Sequence, residues 1–190
     1  LTAQAANQVI LKDQKFNLVG FTNEGLIKPQ DFGIIPKGIG SFCWRGFITT
    51  YKIDLNSNFL LEEMVVHSEV NREIIKINGV EPISPKSKWQ KKIFKRLYEG
   101  INLKTKYSGY LLIGKDFIDE LYIHMGFHPA WKYNEVYELK IDYGKVLSIK
   151  DLSEKMKIYR ELLKEENHDQ LKKDEIENWI TKTFEQKYQK

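Results

Sequence analysis

Apolar residues alternate with polar ones through most of the first 150 positions, and switch to three- and four-residue spacing in two places. The strongest alternating stretch is Gly40 to Val66. Its first arm sets Phe47, Tyr51, Ile53 and Leu55 on one face, with Trp44, Ile48 and Lys52 on the other. Its second arm sets Leu60, Met64 and Val66 against Phe59, Leu61 and Val65. The polar run Asp54 to Asn58 supplies side chains that hydrogen-bond their own backbone in turns, so the stretch is predicted to be a β-hairpin. Strands apolar on both faces are buried on both faces, which places this hairpin at the centre of the fold.

Val9 to Leu11 and Phe16 to Val19 form an earlier hairpin around Lys12 to Lys15. Gly20 to Gly40 holds five glycines, Pro29 and Pro36, punctuation too dense for a regular element. Phe32, Ile34, Ile35 and Ile39 make it a packed loop rather than a free one. Glu73 to Ile77 is a short strand entering Asn78-Gly79, a strong two-residue hairpin signal. From Pro85 to Ile101 the period lengthens. Trp89, Ile93, Phe94, Leu97, Tyr98 and Ile101 form one helical stripe with Lys88, Lys91, Lys92 and Lys95 opposite, and Gly100 ends it.

Strands resume at Gly109 to Gly114, Phe117 to Phe127, Tyr133 to Ile141 and Lys145 to Ile149, the last two joined through Asp142-Tyr143-Gly144. Asp151 and Glu154 fit a capping box that opens a helical tail. Leu152, Met156, Tyr159 and Leu163 make a first stripe there, and Ile176, Trp179, Ile180, Phe184 and Tyr188 a second. The expected architecture is therefore α+β. Residues 1–150 form a β-rich core, a mostly antiparallel sheet of eight or nine strands curled into a barrel or half-barrel, with an inserted basic helix near 86–100. Residues 151–190 form a C-terminal helical pair.

Composition adds limits. The chain of 190 residues is 42% apolar and 13% aromatic, as a globular domain is, and no apolar run approaches a membrane span. Cys43, the single cysteine, excludes an internal disulfide and favours the cytoplasm. The stretch Leu1 to Asn7 contains an Ala-x-Ala pattern but no basic or apolar signal region, so it reads first as a trimmed terminus and second as an exported one. Charge is uneven. Lys86 to Lys106 carries eight basic residues against Glu99, a balance of +7 in a chain whose total is +4. Such a helix suits a phosphate backbone, an anionic membrane or an acidic protein, or simply leaves its lysines in water.

Candidate chemistry is sparse. His124 and His128 have the spacing of a helical metal pair, but on a strand four residues cover about 13 Å, too far to share one ion. No metal and no cofactor are expected. His124 sits instead on the sheet beside Tyr122. His67 and His168 have no recognisable partners, and Cys43 reads as a small apolar packing group. Arg45, inside a two-sided apolar strand, requires either an internal carboxylate such as Glu62 or Glu63, or an anionic ligand.

Trp44-Arg45-Gly46 resembles the aromatic-Arg-Gly opening of the arginine class of ADP-ribosyltransferases, a resemblance that would have Arg45 hold the phosphates of NAD. The Ser-Thr-Ser strand of that family is missing, and Glu135 and Glu138 are three apart where the family has Glu-x-Glu. From Val9 to Ile149 the chain also resembles a set of uncharacterised small bacterial proteins. The shared motifs are Cys43-Trp44-Arg45-Gly46-Phe47, Ile77-Asn78-Gly79-Val80, Gly109 to Gly114 and Tyr122 to Phe127. That resemblance implies no activity.

The leading expectation is a non-enzymatic domain that binds another protein, as an inhibitor or immunity-type factor would. A second is an enzyme or binder for a phosphorylated or nucleotide-like ligand, with Arg45 as anion clamp, His124 and Tyr122 handling protons, and Trp44 beside them. A third is nucleic-acid binding through Lys88, Lys91, Lys92 and Lys95.

Overall fold

The computed structural model describes residues 3–69, 74–124, 126–164, 186 and 188. Eight strands form one sheet: β1 (Gln8–Leu11), β2 (Gln14–Phe21), β3 (Phe47–Ile53), β4 (Phe59–Val66), β5 (Arg96–Lys104), β6 (Gly109–Phe117), β7 (Tyr133–Asp142) and β8 (Lys145–Asp151). Their spatial order is β5-β4-β3-β1-β2-β6-β7-β8. All neighbours are antiparallel except β1 and β3, so the sheet is mixed. Two helices accompany it, α1 (Lys88–Ile93) and α2 (Ser153–Lys164). The fold is α+β, with the β3–β4 hairpin inside the sheet. Among the described residues no helix is long and apolar enough to cross a membrane.

One face of the sheet carries the main core. Val9, Leu18, Tyr51, Phe59, Leu61, Met64, Tyr98, Ile101, Leu111, Ile113 and Leu139 meet there, from strands at both ends of the order. The Tyr51 and Phe59 rings stack at 4.5 Å between centroids. The opposite face is covered in two patches. Val19, Leu112, Tyr133, Val136 and Leu152 lie under α2, while Cys43, Ile48, Val65, Phe94 and Leu97 lie under α1 and the loop before β3.

Alternation holds in β3, where Phe47, Tyr51 and Ile53 face the main core and Ile48 the other side. It breaks in β4. A register shift between Leu61 and Glu63 brings Phe59 and Leu61 onto the same face as Met64 and Val66, because a bulge reverses the parity of everything beyond it. Two of the turns carry left-handed backbone where it was expected: Asn78-Gly79 and Tyr143-Gly144 both have positive φ at each central residue. The Gly20–Gly40 loop is packed, with Ile34 buried and Leu26, Ile27 and Phe32 against the core, although Ile35 is 75% exposed.

The sheet is not closed into a barrel: β5 and β8 are its edges, and the β3–β4 turn touches the start of β8 through the Asn58–Lys145 bridge. Three expectations are corrected. The helix expected near 86–100 stops at Ile93, and Arg96–Lys104 is strand β5. Leu97, Tyr98 and Ile101 satisfy a helical stripe and a strand buried on both faces equally well, and pairing to β4 decides between them. Gly100, at φ +67, sits in the β4–β5 bulge rather than capping a helix. The strand expected from Phe117 to Phe127 ends at Phe117, where Asp119–Leu121 turns into a 3-10 helix.

Helix α2 packs on β7 through Met156, with Leu152 just ahead of it in the same patch, and Arg160 Nη1 donates to the carbonyls of Trp131 and Tyr133 at 2.9 and 3.0 Å. The second helical stripe, Ile176, Trp179, Ile180 and Phe184, lies outside the described residues, as does His168. Tyr188 is described, and its hydroxyl donates to Glu138.

Candidate basic interface

Residues 83–95 are laid against the β4–β5 end of the sheet by two attachments, with a helix cap between them. Ile83 and Leu97 exchange two backbone hydrogen bonds of 2.8 Å, adding one short rung to the β5 edge. Ser87 caps α1, its Oγ accepting from the Gln90 N–H at 3.2 Å. Phe94, 2% exposed, then plugs into the patch formed by Cys43, Ile48, Val65 and Leu97. With Phe94 inward, Lys88, Lys91, Lys92 and Lys95 are all turned to solvent.

Five lysines elsewhere sit beside carboxylates: Lys28–Glu24, Lys37–Glu69, Lys76–Glu81, Lys86–Glu99 and Lys115–Glu135. Among the described residues the four lysines of this face have no such partner. Lys91, Lys92 and Lys95 line a groove of about 540 Å³ with Ser84, Pro85, Ile93, Phe94 and His67. Its floor is apolar and its rim cationic. His67 is fixed by its backbone, whose N–H donates to Gly46 and whose carbonyl accepts from Lys37, both at 2.7 Å. Its Nδ1 is buried with no hydrogen-bond partner. Trp89, 48% exposed, stands on the helix beside the lysines, held edge-on by Phe42 and Phe94.

The other candidates occupy different places. Arg45 does not pair with Glu62 or Glu63. Phe47 pairs with Val66 and Thr50 with Glu63, so Glu63 is displaced along the hairpin by five residues, roughly 16 Å. Arg45 Nη2 instead donates to the Ala5 carbonyl at 2.6 Å, and the guanidinium lies 5.2 and 5.3 Å from the Phe47 and Phe127 ring centres. Its Nε is buried without a partner, and burial lowers its pKa, opposed by Cys43 and Tyr51. Gly46 follows at φ +73, and a Cβ there would lie 2.1 Å from the Lys37 carbonyl oxygen. The Trp-Arg-Gly run is thus a tight backbone crossing, with Trp44 itself 52% exposed.

Tyr122 and His124 are exposed in the loop after β6, their rings edge-to-face at 4.9 Å. They are not on the sheet, and neither they nor Arg45 line the basic groove. Glu135 pairs with Lys115, while Glu138 is buried and receives the Tyr188 hydroxyl. Cys43 is buried in apolar surroundings, its Sγ 3.5 Å from the Phe47 carbonyl.

Sequence reasoning named His67 without partners and His128 only as half of a metal pair with His124, whereas the structure sets each at the wall of a concavity. Nothing local marks His67, because its place in the groove depends on β4 ending against the segment before β5. Comparison with known protein families, curated proteins and solved structures finds no match.

Proposed function

We propose that this chain is a non-enzymatic binding domain whose basic face docks an acidic surface of another protein. What supports the reading is one observation: three exposed lysines without carboxylate partners, Lys91, Lys92 and Lys95, line a groove whose floor is apolar, and exposed Lys88 stands near them on α1. Like charges gathered this closely repel one another, and an acidic partner relieves that repulsion. Phe94, Ile93 and Pro85 at the floor and lysines at the rim reproduce the usual anatomy of a protein interface, apolar at the centre and polar at the edge. A second reading, nucleic-acid binding, draws on Trp89, because a half-exposed indole beside lysines is also a stacking platform for a base.

Capture from a native lysate separates the two, with wild type compared against the variant carrying Lys88→Gln, Lys91→Gln, Lys92→Gln and Lys95→Gln. The protein reading expects an acidic protein retained by wild type after nuclease treatment, lost with the variant, and released as salt rises. Retention that vanishes with nuclease assigns the face to nucleic acid. Equal retention by both baits removes the lysines from any binding role.

A further inference from the structure

A second concavity lies on the outer face of the sheet between its two covering patches, with a volume of about 240 Å³. Gln8 of β1, Asn17 of β2 and Ile48 of β3 all line it. Tyr133 reaches it from β7 across the intervening strand β6. It can do so because Gly114 lies beneath it: a Cβ on Gly114 would stand 2.8 Å from the Tyr133 ring. In that position the Tyr133 hydroxyl accepts from Asn17 Nδ2 at 3.2 Å.

This cleft and the basic groove share a wall. Phe42, Trp89 and Phe94 stand in a row, each ring edge-to-face with the next, at 6.4 and 6.2 Å between centroids. Phe42 and Trp89 line the cleft, whereas Phe94 lines the groove. Helix α1 divides the two concavities, since Trp89 lines the cleft while Lys91 and Lys92 line the groove. A surface laid on those lysines is therefore one ring contact away from the cleft.

The two concavities ask for different chemistry. Among the described residues that line the cleft there is no Asp, Glu, Lys or Arg, so nothing there answers a charge. Its amides are already engaged: Gln4 Nε2 donates to the Ser41 carbonyl, Gln186 Nε2 to that of Leu18, and Asn17 to Tyr133. His128 also lines it, but both its ring nitrogens are buried and take no polar part. What the cleft offers is rings, chiefly those of Phe42, Trp89, Phe127 and Tyr133, which favour an aromatic guest packed against their edges and faces. Its volume lies below the roughly 300 to 1,000 Å³ of pockets for drug-sized ligands and leaves room for one side chain.

We infer that a single acidic partner protein straddles α1, with its carboxylates over the lysines and one uncharged aromatic side chain anchored in the cleft. The inference rests on the basic face being a docking surface for an acidic protein, and adds the anchor that fixes where such a protein sits. Trp89, 48% exposed between cleft and lysines, becomes the centre of the contact, the place where a tryptophan carries most binding energy. Carboxylates on the lysines alone would give attraction without register, and the aromatic anchor supplies the register.

The test is an NMR titration of the full chain with three synthetic peptides. The first is a block of glutamates joined through Gly-Gly to a phenylalanine, the second has alanine in place of phenylalanine, and the third has serines in place of the glutamates. The first should bind at least about tenfold more tightly than either of the others, the scale of burying one large apolar side chain, and should shift the Trp89 indole N–H saturably. Phe42→Ala, which removes a cleft wall outside the groove, should bring the first peptide down to the level of the second while leaving the second unchanged. If that variant fails to fold, Trp89→Ala takes its place with the same loss expected. Equal binding of the first and second peptides overturns the anchor and leaves the basic docking face standing. Equal binding of the first and third, or no binding of any, overturns both. Shifts that miss Trp89, or a folded variant that keeps the preference for phenylalanine, place the aromatic contact elsewhere and overturn the anchor. Tighter binding of an oligothymidylate than of the first peptide, with the Trp89 indole shifted, gives the ring row to a base and overturns it as well.

Discussion

Arg45 offers a test of how a half-buried cation is held without a counter-charge. Its interactions are one charge-assisted hydrogen bond to the Ala5 carbonyl and two ring faces, those of Phe47 and Phe127. The bond contributes about 1.5 to 3 kcal/mol and each ring about 0.5 to 2 kcal/mol. Against these stands a desolvation cost of several kcal/mol for an ion with no carboxylate beside it and a buried, unsatisfied Nε. The two sides nearly cancel. Arg45→Met, which fills the space between the rings without the charge, should therefore leave stability within about 1.5 kcal/mol of the parent. Arg45→Ala removes the filling as well and should cost about 3 kcal/mol or more. Urea unfolding at pH 7, read from midpoints at unchanged slope, measures both. If Met proves as damaging as Ala, the charge itself is strongly stabilising and the balance drawn here is wrong.

Three further outcomes are expected. Gly46→Ala should destabilise by at least about 2 kcal/mol, because it combines a left-handed φ of +73 with a contact of 2.1 Å to the Lys37 carbonyl; an unchanged melting temperature would contradict this. Stability should fall as pH drops from about 6.5 toward 4. The unfolded His128 takes up its proton near pH 6.5 whereas the folded one resists to about 4, and with partial solvation the loss should be about 1 to 3 kcal/mol. His128→Phe should abolish that part of the pH profile, and an identical profile in the variant would sink the assignment. Replacing Lys88, Lys91, Lys92 and Lys95 with Gln should leave the melting temperature equal to or slightly above wild type at low salt, since exposed like charges are removed; a drop of several degrees would mean that the lysines support the fold.

Turns and charge were the most legible features of the sequence. Asn78-Gly79 announces its left-handed pair, and the lysines near α1 declare a cationic face, because both effects are local. Less legible was anything set by pairing. Leu97, Tyr98 and Ile101 suit a helix and a two-sided strand alike, and only hydrogen bonding to β4 makes them strand. The bulge at Leu61–Glu63 changes which β4 residues face the core without any glycine or proline to mark it in that strand. Arg45 seemed to require Glu62 or Glu63 because they share its hairpin, yet the register sets them far apart, and a carbonyl and two rings take their place. Asn17 and Tyr133 meet across β6 only because Gly114 lies beneath the Tyr133 ring, a relation between distant positions that no periodicity records.

The basic face is tested most directly by lysine-reactivity footprinting of the wild-type chain, alone and bound to the acidic protein that it retains from lysate. Binding should protect Lys91, Lys92 and Lys95 together, with Lys88 beside them. Lys12 and Lys140, exposed on other parts of the sheet, should react as in the free chain. Protection centred on those distant lysines, with the four near α1 still fully reactive, would contradict the assignment of this face as the docking surface.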